Sequence, residues 1–296
     1  QDTFVEAIHD IDIQKTIAHR LSYSLVDVRY KAAKTLKKLK ATQTIDVLFN
    51  QLLQENNPEA GWAIMDALVC LDFFPPPAQA VAYLNHAQPF VVAYGIIALD
   101  NSNQHDMQYK ALTAIHRLLN GTSTDKRMVA ITERYLRPTD SHEARLQALI
   151  EDTDSDVSIL GIQSLRNTTS MRFVPLLLQC LNEPRKVYYA EKALLEYRES
   201  ILESLLQINQ DTPKRKQQSM VRLLAQCNQV MALSKLIALS KGDSLILRLF
   251  IAQNVLRYMR IPPSQPGMKQ CILDMIQWVA NEIRLLRTLE VPNDKG

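Results

Sequence analysis

The sequence predicts an all-α fold, an α-solenoid of about eight helix pairs. Three observations carry this. Apolar residues recur at helical spacing with a period near thirty residues. Glycine is scarce, with 7 residues where average usage gives about 20, which disfavours hairpins and glycine-rich phosphate loops. Of the 296 residues, 47% are hydrophobic and 22% charged. That suffices for a large core, in one extended domain or two compact ones.

The repeat begins at Val28-Arg29, with Asp27 as the expected helix cap and Leu36 eight residues on. The same spacing of eight joins Ala60 to Leu68, Val91 to Leu99, Met128 to Leu136, Val157 to Leu165, Val187 to Leu195, Lys216 to Leu224 and Leu247 to Val255. Successive first members are 32, 31, 37, 29, 30, 29 and 31 residues apart. Eight residues are a little over two helical turns, so each unit buries one stripe at the same phase.

A second set of helices alternates with these. Ile45, Leu48 and Leu52 share a face, as do Leu112, Ile115 and Leu119. Leu146 with Leu149, Phe173 with Leu177, and Val230 with Leu233 and Ile237 continue the series. Helix stops separate them: Asn56-Asn57-Pro58, Pro75-Pro76-Pro77, Asn120-Gly121, Asp152-Thr153-Asp154, Asn182-Glu183-Pro184, Asp211-Thr212-Pro213 and Gly242-Asp243. Paired helices of this length bury their apolar faces only by stacking on neighbours. Residues 1–264 are expected to form this solenoid, and 265–296 its C-terminal cap, a helix from Met268 to Leu289.

Val174-Pro175-Leu176-Leu177, then Cys180-Leu181-Asn182, Pro184 and Val187, resemble a HEAT repeat. Asp27-Val28-Arg29 with Ala32, Ala33 and Leu36 resemble its second helix. The resemblance covers about residues 11 to 260 and implies right-handed stacking. The segment with Leu247-Arg248, Asn254-Val255-Leu256-Arg257 and Glu282 is similar to the HEAT part of bacterial proteins. In those, a nucleotide-transporter-like or major-facilitator-like membrane domain precedes the repeats. This second resemblance implies a cytoplasmic module of a larger protein. The start on Gln1 and the Asp294-Lys295-Gly296 end fit a piece of a longer chain, and no signal peptide is expected.

No catalytic or cofactor motif stands out. The cysteines Cys70, Cys180, Cys227 and Cys271 are not clustered and read as buried thiols. His9, His19, His86, His105, His116 and His142 form no metal-binding pair, and His142-Glu143 reads as a solvated helix start. Glu191, Glu196, Glu199 and Glu203 read as the hydrated face of one long helix with Lys192 and Arg198. No metal or cofactor is expected, and the chain reads as a non-enzyme.

Charge is nearly balanced, with 34 basic and 31 acidic residues, but unevenly placed. Residues 29–40 hold Arg29, Lys31, Lys34, Lys37, Lys38 and Lys40, after which no Lys or Arg occurs from Ala41 to Tyr109. That basic-free stretch contains Trp62, Phe73, Phe74, Tyr83, Phe90 and Tyr94. Aromatics without lysine mark interface cores, so these six are the expected partner-binding residues. They also suit the packing between helices. Arg29, Lys34, Lys37 and Lys38, with Lys214 and Arg215 at a second cluster that includes Lys216 and Arg222, are the expected phosphate or anion contacts. An ordinary solvated helix face is the alternative.

The leading expectation is a protein-binding scaffold, its partner another protein or other domains of its own chain, without membrane insertion of this segment. The second is a nucleic-acid binder of the HEAT-like repair-glycosylase type, weakened by the near-neutral charge. A third is a tetrapyrrole lyase or chaperone, an activity found on HEAT-like scaffolds, with no cysteine or histidine pattern to support it.

Overall fold

The computed structural model describes residues 11–258, apart from 166, 167, 169, 210, 228, 242 and 243, with isolated positions between 270 and 284. The Gly242-Asp243 stop, Cys271, Glu282 and most of the expected cap at 265–296 lie outside the described residues. The described residues are helical with no strand, and they belong to two compact units, 1–167 and 168–296.

The first unit holds α1 (Ile11–His19), α2 (Val26–Lys38), α3 (Ile45–Gln54), α4 (Pro58–Cys70), α5 (Pro77–Tyr83), α6 (Pro89–Asp100), α7 (His105–Leu119), α8 (Ser123–Thr132), α9 (Asp140–Ile150) and α10 (Ser155–Ser164). Each odd-numbered helix packs on the next even one, and the even helices α2, α4, α6, α8 and α10 pack on one another in that order. This is the solenoid pattern: five pairs stacked through their second helices.

Local chemistry sets the boundaries. Asn57 caps α4, its side-chain oxygen accepting from the Glu59 and Ala60 N–H groups, and Pro58 takes the first helical position, where its missing N–H costs nothing. Asp154 caps α10 in the same way through the Asp156 and Val157 N–H groups. Thr122 and Asp125 form a reciprocal capping box at α8. The expected cap Asp27 is corrected: it lies inside the first turn of α2, and Lys31 donates to it at 2.6 Å. Two second helices end alike. Ala41 N–H donates to Leu36 O and Lys40 N–H to Lys37 O, and Phe73 and Asp72 repeat this with Leu68 and Val69. The residues at the turn, Lys40 (φ 50°) and Asp72 (φ 56°), are both left-handed and sit one repeat apart.

The centre of the unit is α6. Ten of its twelve residues, Phe90 to Leu99, are buried. A helix apolar all round needs neighbours all round, and α4, α5, α7 and α8 supply them. Two glycines permit the close approaches. A Cβ on Gly61 of α4 would overlap the Phe90 ring, and one on Gly95 would come within 2.9 Å of the Ala80 carbonyl oxygen of α5. The spacing-eight stripes are buried at Ala60 and Leu68, Val91 and Leu99, Met128 and Leu136, and Val157 and Leu165. In α7 the buried face is Ala111, Ala114, Ile115 and Leu118, so the expected Leu112 and Leu119 sit at its margin.

The second unit holds α11 (Val174–Cys180), α12 (Val187–Glu196), α13 (Leu202–Leu206), α14 (Lys214–Gln226), α15 (Val230–Ser240) and α16 (Leu245–Tyr258), again in adjacent pairs with α12, α14 and α16 in contact in order. The described residues thus contain eight helix pairs. The expected single long acidic helix is corrected: a 3-10 turn at Arg198–Ile201 divides α12 from α13. Tyr197 is buried at this break and its hydroxyl donates to the Ser170 carbonyl at 3.2 Å. The Val187–Leu195 stripe is also displaced. Ala190 and Leu194 are buried while Leu195 is 37% exposed, so the buried face lies one residue earlier than the stripe predicts.

Candidate interaction cleft

In the first unit, α2, α4, α8, α10 and the 3-10 turn Glu133–Tyr135 line a cleft of about 400 Å³. The repeat places its residues. Tyr30 of α2 and Trp62 of α4 are 32 residues apart, as are Lys34 and Asp66, which is the repeat step between these helices. Ile131 and Leu160 are 29 apart, as are Arg134 and Gln163, the step between α8 and α10. Equivalent positions of stacked helices therefore form two rows. One is aromatic and apolar, and the other, one turn along, is charged and polar. The corresponding residues of α6, Ala93 and Ile97, are wholly buried.

A hydrogen bond closes the floor. Tyr135 Oη donates to Asp66 Oδ1 at 2.8 Å, linking α4 to the turn after α8, the two helices that flank α6. Lys37 Nζ donates to the other Asp66 oxygen at 2.7 Å. Burial, followed by the adjacent Asp66 carboxylate, pushes the Tyr135 hydroxyl well above the usual tyrosine range, so it remains a donor. Arg134 donates to Gln163 Oε1 at 2.7 Å and to Ser164 Oγ at 3.4 Å. Lys34 Nζ lies 2.7 Å from the Tyr30 hydroxyl oxygen and 4.7 Å from its ring centroid. Trp62 is half-buried and sits edge-to-face on Phe90.

The expected partner-binding residues divide. Trp62 lines the cleft. Phe90 and Tyr94 are wholly buried in α6 and Tyr83 is 8% exposed, so these rings fill the unit's own core. Tyr94 Oη donates to the Phe73 carbonyl at 2.6 Å, and Phe73 and Phe74 pack partly buried against the same cluster. The anion contacts divide too. Lys34 faces the cleft, and Lys38 is exposed at the end of α2. Lys37 is bound to Asp66. Arg29 forks onto Glu55, 26 residues away, with Nε to Oε2 at 2.7 Å and Nη2 to Oε1 at 2.8 Å, beside a polar pocket of about 500 Å³. In the second unit Lys214 and Arg215 are exposed at the start of α14, while Arg222 is held by Glu191 and lies over the Phe250 ring. Cys70 is exposed rather than buried, whereas Cys180 is buried and Cys227 half-buried.

One constellation went unseen in the sequence. His142 is not solvated: it is 5% exposed, and its Nδ1 lies 2.7 Å from Glu133 Oε2. Arg145 Nε donates to Glu133 Oε1 at 2.5 Å, and its Nη2 donates to Oε2 at 3.2 Å. Glu133 is wholly buried and immediately precedes Arg134 and Tyr135 of the cleft. The ion pairs between repeats did carry a signal: Arg29–Glu55, Lys126–Asp152, Arg127–Asp154 and Lys37–Asp66 all span 26 to 29 residues.

These carboxylates make the fold acid-sensitive. Backbone donation from Asp156 and then the Arg127 guanidinium hold Asp154 down to about 2. Burial works against the charged forms of Asp152 and Glu55, but hydrogen bonds led by Lys126 and Arg29 respectively hold both below their ordinary values. The unfolded chain takes up these protons first. The stabilisation is therefore complete above the ordinary carboxylate range and lost as pH falls through the lowered values. The urea midpoint is expected to fall from pH 5 toward pH 2. Asp154→Asn, which keeps a capping side chain, is expected to flatten that fall, and an unchanged slope would refute the assignment.

No known protein family matches the chain, and no curated protein matches it. Among solved structures it is similar to the complex of CpcE and CpcF of phycocyanin lyase from Nostoc sp. PCC7120. The identity is 14% over 89% of this chain and 94% of that one, with a TM-score of 0.38. It is also similar to an engineered protein, at 16% identity over 83% of this chain and 95% of that one, with a TM-score of 0.23. The first of these is a lyase, so the expectation that this chain is not an enzyme is withdrawn. At that distance the likeness assigns it no activity. No described helix is long and apolar enough to cross a membrane.

Proposed function

We propose that this chain is a helical-repeat scaffold of the HEAT type whose first unit binds a segment of a protein partner in the cleft between α2 and α10. The convergence of equivalent repeat positions into an aromatic row beside a charged row supports this reading. A stacked-helix surface of this kind offers many small contacts to one extended partner. Nucleic acid is disfavoured, because Arg29, Lys37 and Arg222 are held by carboxylates of the chain itself. The finer reading, a cytoplasmic module beside a transporter-like membrane domain, draws on the resemblance of residues 247–257 and 282.

Photo-crosslinking in the native cells tests both levels. A photoreactive residue at position 30, inside the cleft, is expected to give a defined protein adduct. One at position 109, on α7 and 71% exposed, is expected to give none. Adducts from 109 alone would overturn the cleft. Recovery of the uncrosslinked protein from cytosol rather than membranes would overturn the finer reading alone.

A further inference from the structure

Resting on that reading, we infer that the occupant of the cleft is an acidic peptide segment with an apolar or aromatic anchor, its carboxylate directed to Lys34 and its anchor to Trp62. The cleft's charges are not equally available. Asp66 has both oxygens engaged, by Tyr135 and Lys37. Glu59 stands in the first turn of α4, where the helix dipole already stabilises a carboxylate. Lys34 has neither kind of compensation. It lies in the middle of α2, away from the dipole's negative end, and among the described residues its polar contact is the neutral Tyr30 hydroxyl. An exposed ammonium over an aromatic ring keeps most of its attraction for an incoming anion.

The surroundings have the same sign. Of the six basic residues at 29–40, Arg29, Lys31 and Lys37 have carboxylate partners. Lys34, Lys38 and Lys40 are exposed and have none among the described residues. Lys38 is one turn beyond Lys34 on α2, so an approaching segment meets positive charge on that side. The free hydrogen-bonding capacity also favours an acceptor. Among the described residues, the Trp62 indole N–H has no partner, and two Lys34 protons are unused. Ile131 and Leu160, from the apolar row, give the anchor side chain its contact surface. Charge and donor count together favour an acidic over a basic segment as the occupant.

The test uses the full chain and two fluorescein-labelled peptides, one alternating Asp with Phe and Leu, the other with Lys in place of each Asp. Fluorescence anisotropy is expected to show the acidic peptide binding and weakening as salt rises. Lys34→Glu, fully folded by circular dichroism because the site is exposed, is expected to weaken it about tenfold, the worth of one charge-assisted hydrogen bond. Preference for the lysine peptide would overturn the inference. Equal binding of both peptides, lost only in Trp62→Ala, would overturn the acidic preference and leave the cleft as the binding face. Binding of neither peptide would overturn both.

Discussion

Glu133→Ala is expected to cost the first unit about 3–5 kcal/mol, the loss that follows when one partner of a buried ion pair is removed. Glu133 is wholly buried and Arg145 is 6% exposed. The variant leaves a guanidinium inside the protein whose remaining side-chain partner, among the described residues, is Ser141 Oγ at 3.1 Å, and leaves His142 beside it. Desolvation of that unmatched charge, rather than the lost attraction, is the main term. Replacing both ends with apolar groups, Glu133→Leu with Arg145→Met, is therefore expected to recover much of the loss. Urea unfolding followed by Trp62 fluorescence in a Trp278→Phe background reports on this unit. A loss within about 1 kcal/mol is what an exposed pair gives, and it would show that the cluster is solvated. Because Arg134 and Tyr135 follow Glu133 directly, the same variant is expected to lose peptide binding before it loses all helicity.

The fold was largely legible because its determinants are local or periodic. Asn57-Pro58, Asp154 and the stripes at Ala60, Val91 and Val157 act within one helix and its caps, and the repeat carries them forward. The site was half legible. Trp62 and Lys34 both stood out in the sequence, but as members of different groups, one for a protein partner and one for anions. Only the stacking of α2 on α4, at a step of 32 residues, brings them to one cleft. Arg29 and Lys37 looked available because their carboxylates lie a repeat away. The repeat period was the missing clue to those pairs. Glu133, His142 and Arg145 had no such clue: they meet across a 3-10 turn and a helix start, at spacings that match neither a helix nor the repeat. Among the aromatics, residue type says that a large ring wants cover, not whether the cover is another helix of the same chain or a partner.

That ambiguity can be resolved by one pair of variants. Read from the sequence, a charge at either Trp62 or Tyr94 would block partner capture and leave helicity intact. In the structure the two positions part. Tyr94 is wholly buried, its hydroxyl bonded to the Phe73 carbonyl and its ring packed against Phe74 and Phe49. Burial pushes that hydroxyl far above the usual tyrosine range, so the neutral form alone fits the site. Tyr94→Glu removes the ring's packing, leaves the Phe73 carbonyl without its donor and buries a carboxylate, a combined loss beyond about 5 kcal/mol. A domain has about 5–15 kcal/mol in total, so the first unit is expected to unfold, with far-UV ellipticity falling accordingly. Tyr94→Phe keeps the ring and is expected to cost about 1 kcal/mol, the worth of the hydrogen bond alone. Trp62→Glu, at the half-buried wall of the cleft, is expected to keep full ellipticity and lose peptide binding. If Tyr94→Glu remained folded, α6 would not be the enclosed centre of the unit. If Trp62→Glu unfolded with it, Trp62 would belong to the core, and the cleft would lose the aromatic side chain on which its recognition depends.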